Sequence, residues 1–334
     1  MDGDKNNPGS SRKRGGSALC LAPRKKVRVF FVWSSSNPLV LHGQHFGCTV
    51  FAFCNYPPLL TAGILFNGSI RREHRVFIEL IDSYSSLLDR LTNGEEEDVI
   101  HVGELLGKEA SGARGDDTKT LKSAILEWLV PRGQAVIPPL FQNIKSDHGF
   151  NHEVTGALLC PAGLDWSNAE TKQSLKSGET AVHGDQWPMF LYAGYHYDPE
   201  DPWKGLLKSE ILIYGVKHVF TSPSSVDKEP KATRSGNAYL HGMKSVTKGS
   251  VAYIVTQVQF SLCSSSVFSW TDMVTDSKNF YISILDLLED PDESQEVADL
   301  MTWWTQCIMH LFKLKKLFNA NSALSKIRAK CAAL

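Results

Sequence analysis

The apolar residues of "REHRVFIELIDSYSSLLDRL" (72–91) recur at three- and four-residue steps: Val76, Phe77, Leu80, Ile81, Tyr84, Leu87, Leu88 and Leu91. That spacing lines one face of an α-helix, and Asn93-Gly94 supplies its stop. A second helix is expected over 95–109, where four acidic residues suit the positive end of a helix dipole and Val99, Val102, Leu105 and Leu106 share a side. A third, at about 117–130, starts at Asp116-Asp117 and ends before Pro131, with Leu121, Ala124, Ile125, Trp128 and Leu129 facing inward. Helical spacing returns at 204–220, at 251–262, at 276–289 and after Pro291, where Asp292, Glu293 and Glu296 open a last helix. The run "VAYIVTQVQFSL" (251–262) is also β-prone and can be read as a strand.

Residues 131–203 break this rhythm with Pro, Gly, Trp and Tyr, as in "HGDQWPMFLYAGYHYDPEDPW". Long irregular stretches inside a compact domain are uncommon, and aromatic density favours one wrapped on a core. At 334 residues with 42% apolar content, the chain can bury a large core. The expected fold is therefore mainly α: a single large helical domain with a Pro/aromatic-rich irregular segment packed on it. Three regions follow: a disordered basic arm (1–39), the helical domain (40–305) and a basic C-terminal helix or tail (306–334).

Charge sharpens that division. Residues 1–28 hold eight Lys/Arg against two Asp, residues 306–334 hold six and no acid, and the body between them carries −13 within a net charge of −1. An acidic body repels a nucleic-acid duplex, so phosphate attraction belongs mainly to the ends. The seven cysteines show no C-x-x-C pair and read as free thiols of a reducing compartment. "VFFVW" (29–33) is too short for a signal core or a membrane span, so a nuclear or cytoplasmic location is expected.

Several residue groups could carry chemistry. His183-Gly-Asp185 and His196-Tyr-Asp198, with His148, His152 and Glu153 upstream, offer imidazole and carboxylate donors for a transition metal. Their spacing matches no motif with a mechanism, and turn-setting roles are the ordinary alternative. Cys160 lies near two histidines, but burial after two leucines is the usual fate of such a cysteine. Arg12, Lys13 and Arg14, then Arg24, Lys25 and Lys26, form two basic clusters suited to a nuclear-import carrier. Cys331-Ala-Ala-Leu has the C-a-a-X form, with Lys326, Arg328 and Lys330 as the basic companion one lipid chain needs. In "SPSSVDKEPKATRSG" (222–236), Lys228, Lys231 and Arg234 among hydroxyl residues could hold an anion. A solvated loop is the plain alternative there. No catalytic residue and no cofactor are assigned.

Four stretches, "GARGDDTKTLKSAILEWLVPRG", "GFNHEVTGALLCPAGLDW", "GDQWPMFLYAGYHYDPEDPWKGLLKSE" and "KHVFTSPSSVDKEPKATRSGNAYLHGM", occur in that order. Through them the chain resembles, over roughly residues 40–305, a family of uncharacterised basidiomycete fungal proteins carrying a domain of unknown function. The resemblance implies no activity, but it makes the 218–238 stretch an integral loop of the domain rather than a spacer. The expected function is that of a nuclear interaction or regulatory protein without catalytic activity, bound to protein partners. A membrane-surface protein prenylated at Cys331 and a metal-dependent enzyme using His183, Asp185, His196 and Asp198 are the alternatives. Nucleic-acid binding should be at most weak and non-specific, through the termini, fall steeply with salt and vanish when residues 1–28 are deleted. A mobility-shift titration checks this; binding by residues 40–305 alone would contradict it.

Overall fold

The computed structural model describes residues 38–65, 72–131, 133–221, 245–268 and 276–312, together with Val226 and Met243. Arg12, Lys13, Arg14, Arg24, Lys25, Lys26, Lys228, Lys231, Arg234 and Cys331 lie outside the described residues. Eleven α-helices are present among the described residues and no strand, only isolated bridges at Pro161–Pro188 and Tyr192–Leu206. In chain order they are α1 (Pro38–Thr49), α2 (Tyr56–Ile64), α3 (Arg72–Ser83), α4 (Leu87–Asn93), α5 (Glu96–Trp128), α6 (Glu153–Leu159), α7 (Ala169–Ser177), α8 (Glu210–Val216), α9 (Lys248–Leu262), α10 (Ser277–Glu289) and α11 (Ser294–Phe312).

Buried side chains form two apolar clusters. One comes from α1–α4 and the first half of α5, with Leu60, Leu80, Leu87, Val102 and Leu106 at its centre. The other is built around α9 and takes Leu121 and Ile125 from the second half of α5, together with residues of α8, α10 and α11. Helix α9 packs against α1, α5, α6, α8 and α10, so most of its surface is buried and its apolar residues are not confined to one stripe. This is why the 251–262 run looked β-prone. Thr247 and Ser250 decide for helix by forming a reciprocal capping box at its first turn.

The far end of α9 is closed by Lys145. Its buried ammonium donates to the carbonyls of Phe260 (3.1 Å) and Ser261 (2.6 Å), which have no partner within the helix. Burial lowers the Lys145 pKa to about 8, while the negative end of the helix dipole suits its charge. At the N-terminal end, Gly249 lets α9 meet the chain after α1, since a Cβ there would sit 2.3 Å from the Val50 carbonyl oxygen.

Two expected helices, 95–109 and 117–130, are one. Gly112 and Gly115 lie between them with open space where a Cβ would be, and each costs about 1 kcal/mol against alanine. The buried faces before and after them outweigh that, at about 1.5–3 kcal/mol for each fully buried large apolar side chain. The expected single helix over 72–91 is instead two. Ser83 Oγ donates to the Leu80 carbonyl (2.8 Å) and Tyr84 N bonds to Ile81 O (3.1 Å), which tightens and ends α3. The restart changes the face: Leu87 and Leu91 are buried, while Leu88, expected inward, is 43% exposed. Helix α8 begins at Glu210 and not at 204, because Gly205 and Leu207 both have positive φ, which a helix excludes.

Where α5 passes from one apolar cluster to the other, polar groups join three elements. Arg114 donates to the Ala52 carbonyl (3.0 Å), the Tyr253 hydroxyl donates to Asp117 (2.8 Å), and Thr118 donates to the Gln257 side-chain oxygen (2.9 Å). The Tyr281 hydroxyl in turn accepts from Ala52 N (3.1 Å). Burial raises the Asp117 pKa from 3.8 to about 7; the Tyr253 hydrogen bond opposes the shift and Asp116 adds to it. The folded state thus holds a proton that the unfolded chain releases. Stability from this group is full below about 4 and is lost as pH rises through 7. Asp117→Asn should therefore gain stability relative to the parent protein between pH 4.5 and 7.5, by on the order of 2 kcal/mol. Urea midpoints at the two pH values measure this; an equal difference at both would contradict it.

Candidate functional site

The sequence-identified donors do not converge. Asp198 accepts from Lys204 Nζ (2.9 Å) and from Glu200 N (3.1 Å), and the lysine holds its pKa below the usual value. His183 and Gln186 close a turn through backbone N to Oε1 at 2.9 Å, while Gly184 brings the chain against the start of α10. His152 caps α6 by accepting from Val154 N (3.1 Å), and its other ring nitrogen lies 2.9 Å from the Pro138 carbonyl. Glu153 is bound to Trp166 Nε1 (3.0 Å) and to Lys172. Among the described residues, no group of three or more His, Cys, Asp or Glu side chains could hold a metal ion.

Cys160 is buried, and its thiol donates weakly to the carbonyls of Pro161 and Leu164. Burial pushes its pKa up to about 11, with Asp165 adding to the effect, so the thiolate a nucleophile requires is disfavoured. Cys48, Cys54, Cys160, Cys263 and Cys307 are all free, as the spacing implied. Among the described residues, no helix is long and apolar enough to cross a membrane.

The irregular segment does build a concave surface. After α6, the chain returns twice to α10 and α11: Trp187 Nε1 donates to Ser283 Oγ (3.1 Å), and Trp203 Nε1 donates to Glu293 (2.8 Å). These two anchors hold a cleft of about 460 Å³ walled by Pro161, Trp187, Tyr192, Tyr197, Pro202 and Trp203. Tyr192 and Tyr197 meet edge to face at 5.1 Å, and their pairing fixes one wall. Both indole N–H groups are committed inward, so the cleft offers mainly ring faces and proline edges. Asp185 and Gln186 supply polar groups at the rim.

Residues 108–309, which contain the whole cleft, match the model of a family of unknown function, DUF6698. The chain belongs to this family. No curated protein and no solved structure matches it. The DUF6698 match starts at residue 108 rather than near 40, two residues before Ala110, the last residue that α5 gives to the first apolar cluster. The match thus covers most of the cluster around α9, to which Ala52 and Phe53 are added from outside it, together with the wrapped segment, while α1–α4 lie ahead of it. Composition had marked residues 131–203 as wrapped, but neither the Trp anchors nor the cleft could be read from spacing. The partners Ser283 and Glu293 lie 96 and 90 residues from their tryptophans.

Proposed function

We propose that this DUF6698 protein is a non-catalytic interaction or regulatory protein of the nucleus, whose aromatic cleft receives an extended, proline-containing segment of a protein partner. The observation that carries this reading is the cleft wall of Trp187, Tyr192, Tyr197 and Trp203 with its indole N–H groups already satisfied. Fixed aromatic ridges suit a polyproline-type chain, which has little conformational freedom left to lose and buries its rings between them. Asp185 and Gln186 at the rim can meet the ligand's backbone N–H groups. Nuclear entry rests on Arg12, Lys13, Arg14, Arg24, Lys25 and Lys26, and a basidiomycete source rests on the motif resemblance alone.

Selection from a random peptide library should enrich proline-containing sequences on the parent protein. Tyr197→Ala should weaken the selected peptide by roughly tenfold, the loss expected of one interface aromatic. Enrichment of no common sequence, or an unchanged affinity in the variant, would contradict the cleft reading. Separately, an N-terminally tagged protein should lose nuclear signal when Arg24, Lys25 and Lys26 are neutralised and keep it in Cys331→Ser. Membrane signal abolished by Cys331→Ser would instead favour the lipid anchor.

A further inference from the structure

A second concavity of about 810 Å³, sharing no lining residue with the cleft, opens where the C-terminal end of α5 meets α8. Trp128 forms its centre, packed against Tyr214 (5.7 Å) and edge-on to His218 (5.7 Å, 71°). Tyr195 adds another aromatic wall, held with φ of +56°, a conformation unusual for a bulky side chain. His218 sits on the π-helical turn Lys217–Thr221 that continues α8, a geometry that recurs at functional sites. It is 7% exposed, and its Nε2 has no hydrogen-bond partner among the described residues. Leaving a buried polar nitrogen unpaired is costly, so a ligand that satisfies it gains discrimination.

Among the described residues, the charges that line the pocket have one sign. Glu127 and Glu210 line it, no Lys or Arg does so among the described residues, and neither glutamate is ion-paired there. The Tyr195 pKa is raised to about 12, by burial first and then by Glu210 and Tyr214. The last turn of α5, a 33-residue helix, contains no basic residue, and its C-terminal carbonyls add negative potential. Aromatic faces, carboxylates and a helix C-terminus all attract a cation. Burial lowers the His218 pKa and favours neutral imidazole, which accepts a hydrogen bond at Nε2 when Nδ1 carries the proton.

We infer that this pocket binds an organic ammonium group carrying at least one N–H, the cation held by Trp128, Tyr195, Tyr214, Glu127 and Glu210 and its N–H donated to His218 Nε2. A quaternary ammonium satisfies the charge and the rings but leaves the imidazole unpaired. A lysine side chain of a partner protein and a free polyamine share this chemistry.

The test titrates the full chain with n-butylammonium and with tetramethylammonium at low salt, following the Trp128 indole resonance, assigned through Trp128→Phe. The expected result is saturable binding with n-butylammonium favoured by roughly tenfold, the equivalent of one hydrogen bond of about 1.4 kcal/mol. His218→Phe should equalise the two cations, and Glu210→Gln, at an exposed position, should weaken both by about threefold. Spermidine and acetyl-Ala-Lys-Ala-amide then distinguish the sources: the tighter ligand identifies a free polyamine or a protein lysine. No saturable binding of n-butylammonium, equal affinity for the two cations in the parent protein, or unchanged affinity in Glu210→Gln would overturn the assignment. The last holds even if His218→Phe fails to fold.

Discussion

The continuity of α5 through Gly112 and Gly115 is the constraint on which the rest of the structure depends. Ala110 is the last residue that α5 gives to the first apolar cluster, and Leu121 is the first it gives to the second. Between them run about three helical turns that carry partly or wholly buried polar groups instead. Arg114, Asp117 and Thr118 all face this stretch, and each is met by a partner from elsewhere in the chain. A helix that broke there would loosen the junction between the α1–α4 cluster and the α9 cluster, which also meet through α1 against α9, and leave Tyr253 and Gln257 without their partners. Satisfied buried polar groups of this kind fix register, because the unpaired alternative is expensive.

Helix α9 turns that junction into a fold. Its capping box and the Lys145 ammonium close both ends of a helix that is almost wholly buried, so it can serve as the axis around which α5, α8 and α10 pack. The wrapped segment then covers one side, tied down by indole hydrogen bonds to Ser283 and Glu293. Both concavities arise from this arrangement. The aromatic cleft lies where the segment crosses α10, and the acidic pocket lies where α5 ends against α8. Among the described residues both are walled by aromatic rings, and the proposed binding roles rest on that shared feature.

Much of the helical content was legible because amphipathic spacing is a local property. Val99, Val102, Leu105 and Leu106 repeat as an exposed-face helix should, and all are buried. The errors came from local signals that tertiary packing overrode. The helices expected at 95–109 and 117–130 are joined through Gly112 and Gly115, because burial on either side outweighed the cost of those glycines. Ser83 to Ser86 carried no proline or glycine, yet a side-chain hydrogen bond ended α3 and turned Leu88 outward. Helices α1 and α2 went unread because their apolar residues are not confined to one stripe. The candidate sites were harder still: His183, Asp185, His196 and Asp198 share a motif in sequence and no centre in space. His218 bore no sequence signal, since its character comes from burial beside Trp128, 90 residues earlier.

Hydrogen exchange along α5, read by mass spectrometry on overlapping peptides, tests the central claim most directly. A continuous helix predicts slow exchange of amides 110–118 matching that of 99–106 and 121–128, with all three stretches released together in denaturant as one cooperative unit. Fast exchange confined to 111–116, with independent protection on either side, would mean two helices and two separable cores. That result would contradict the account.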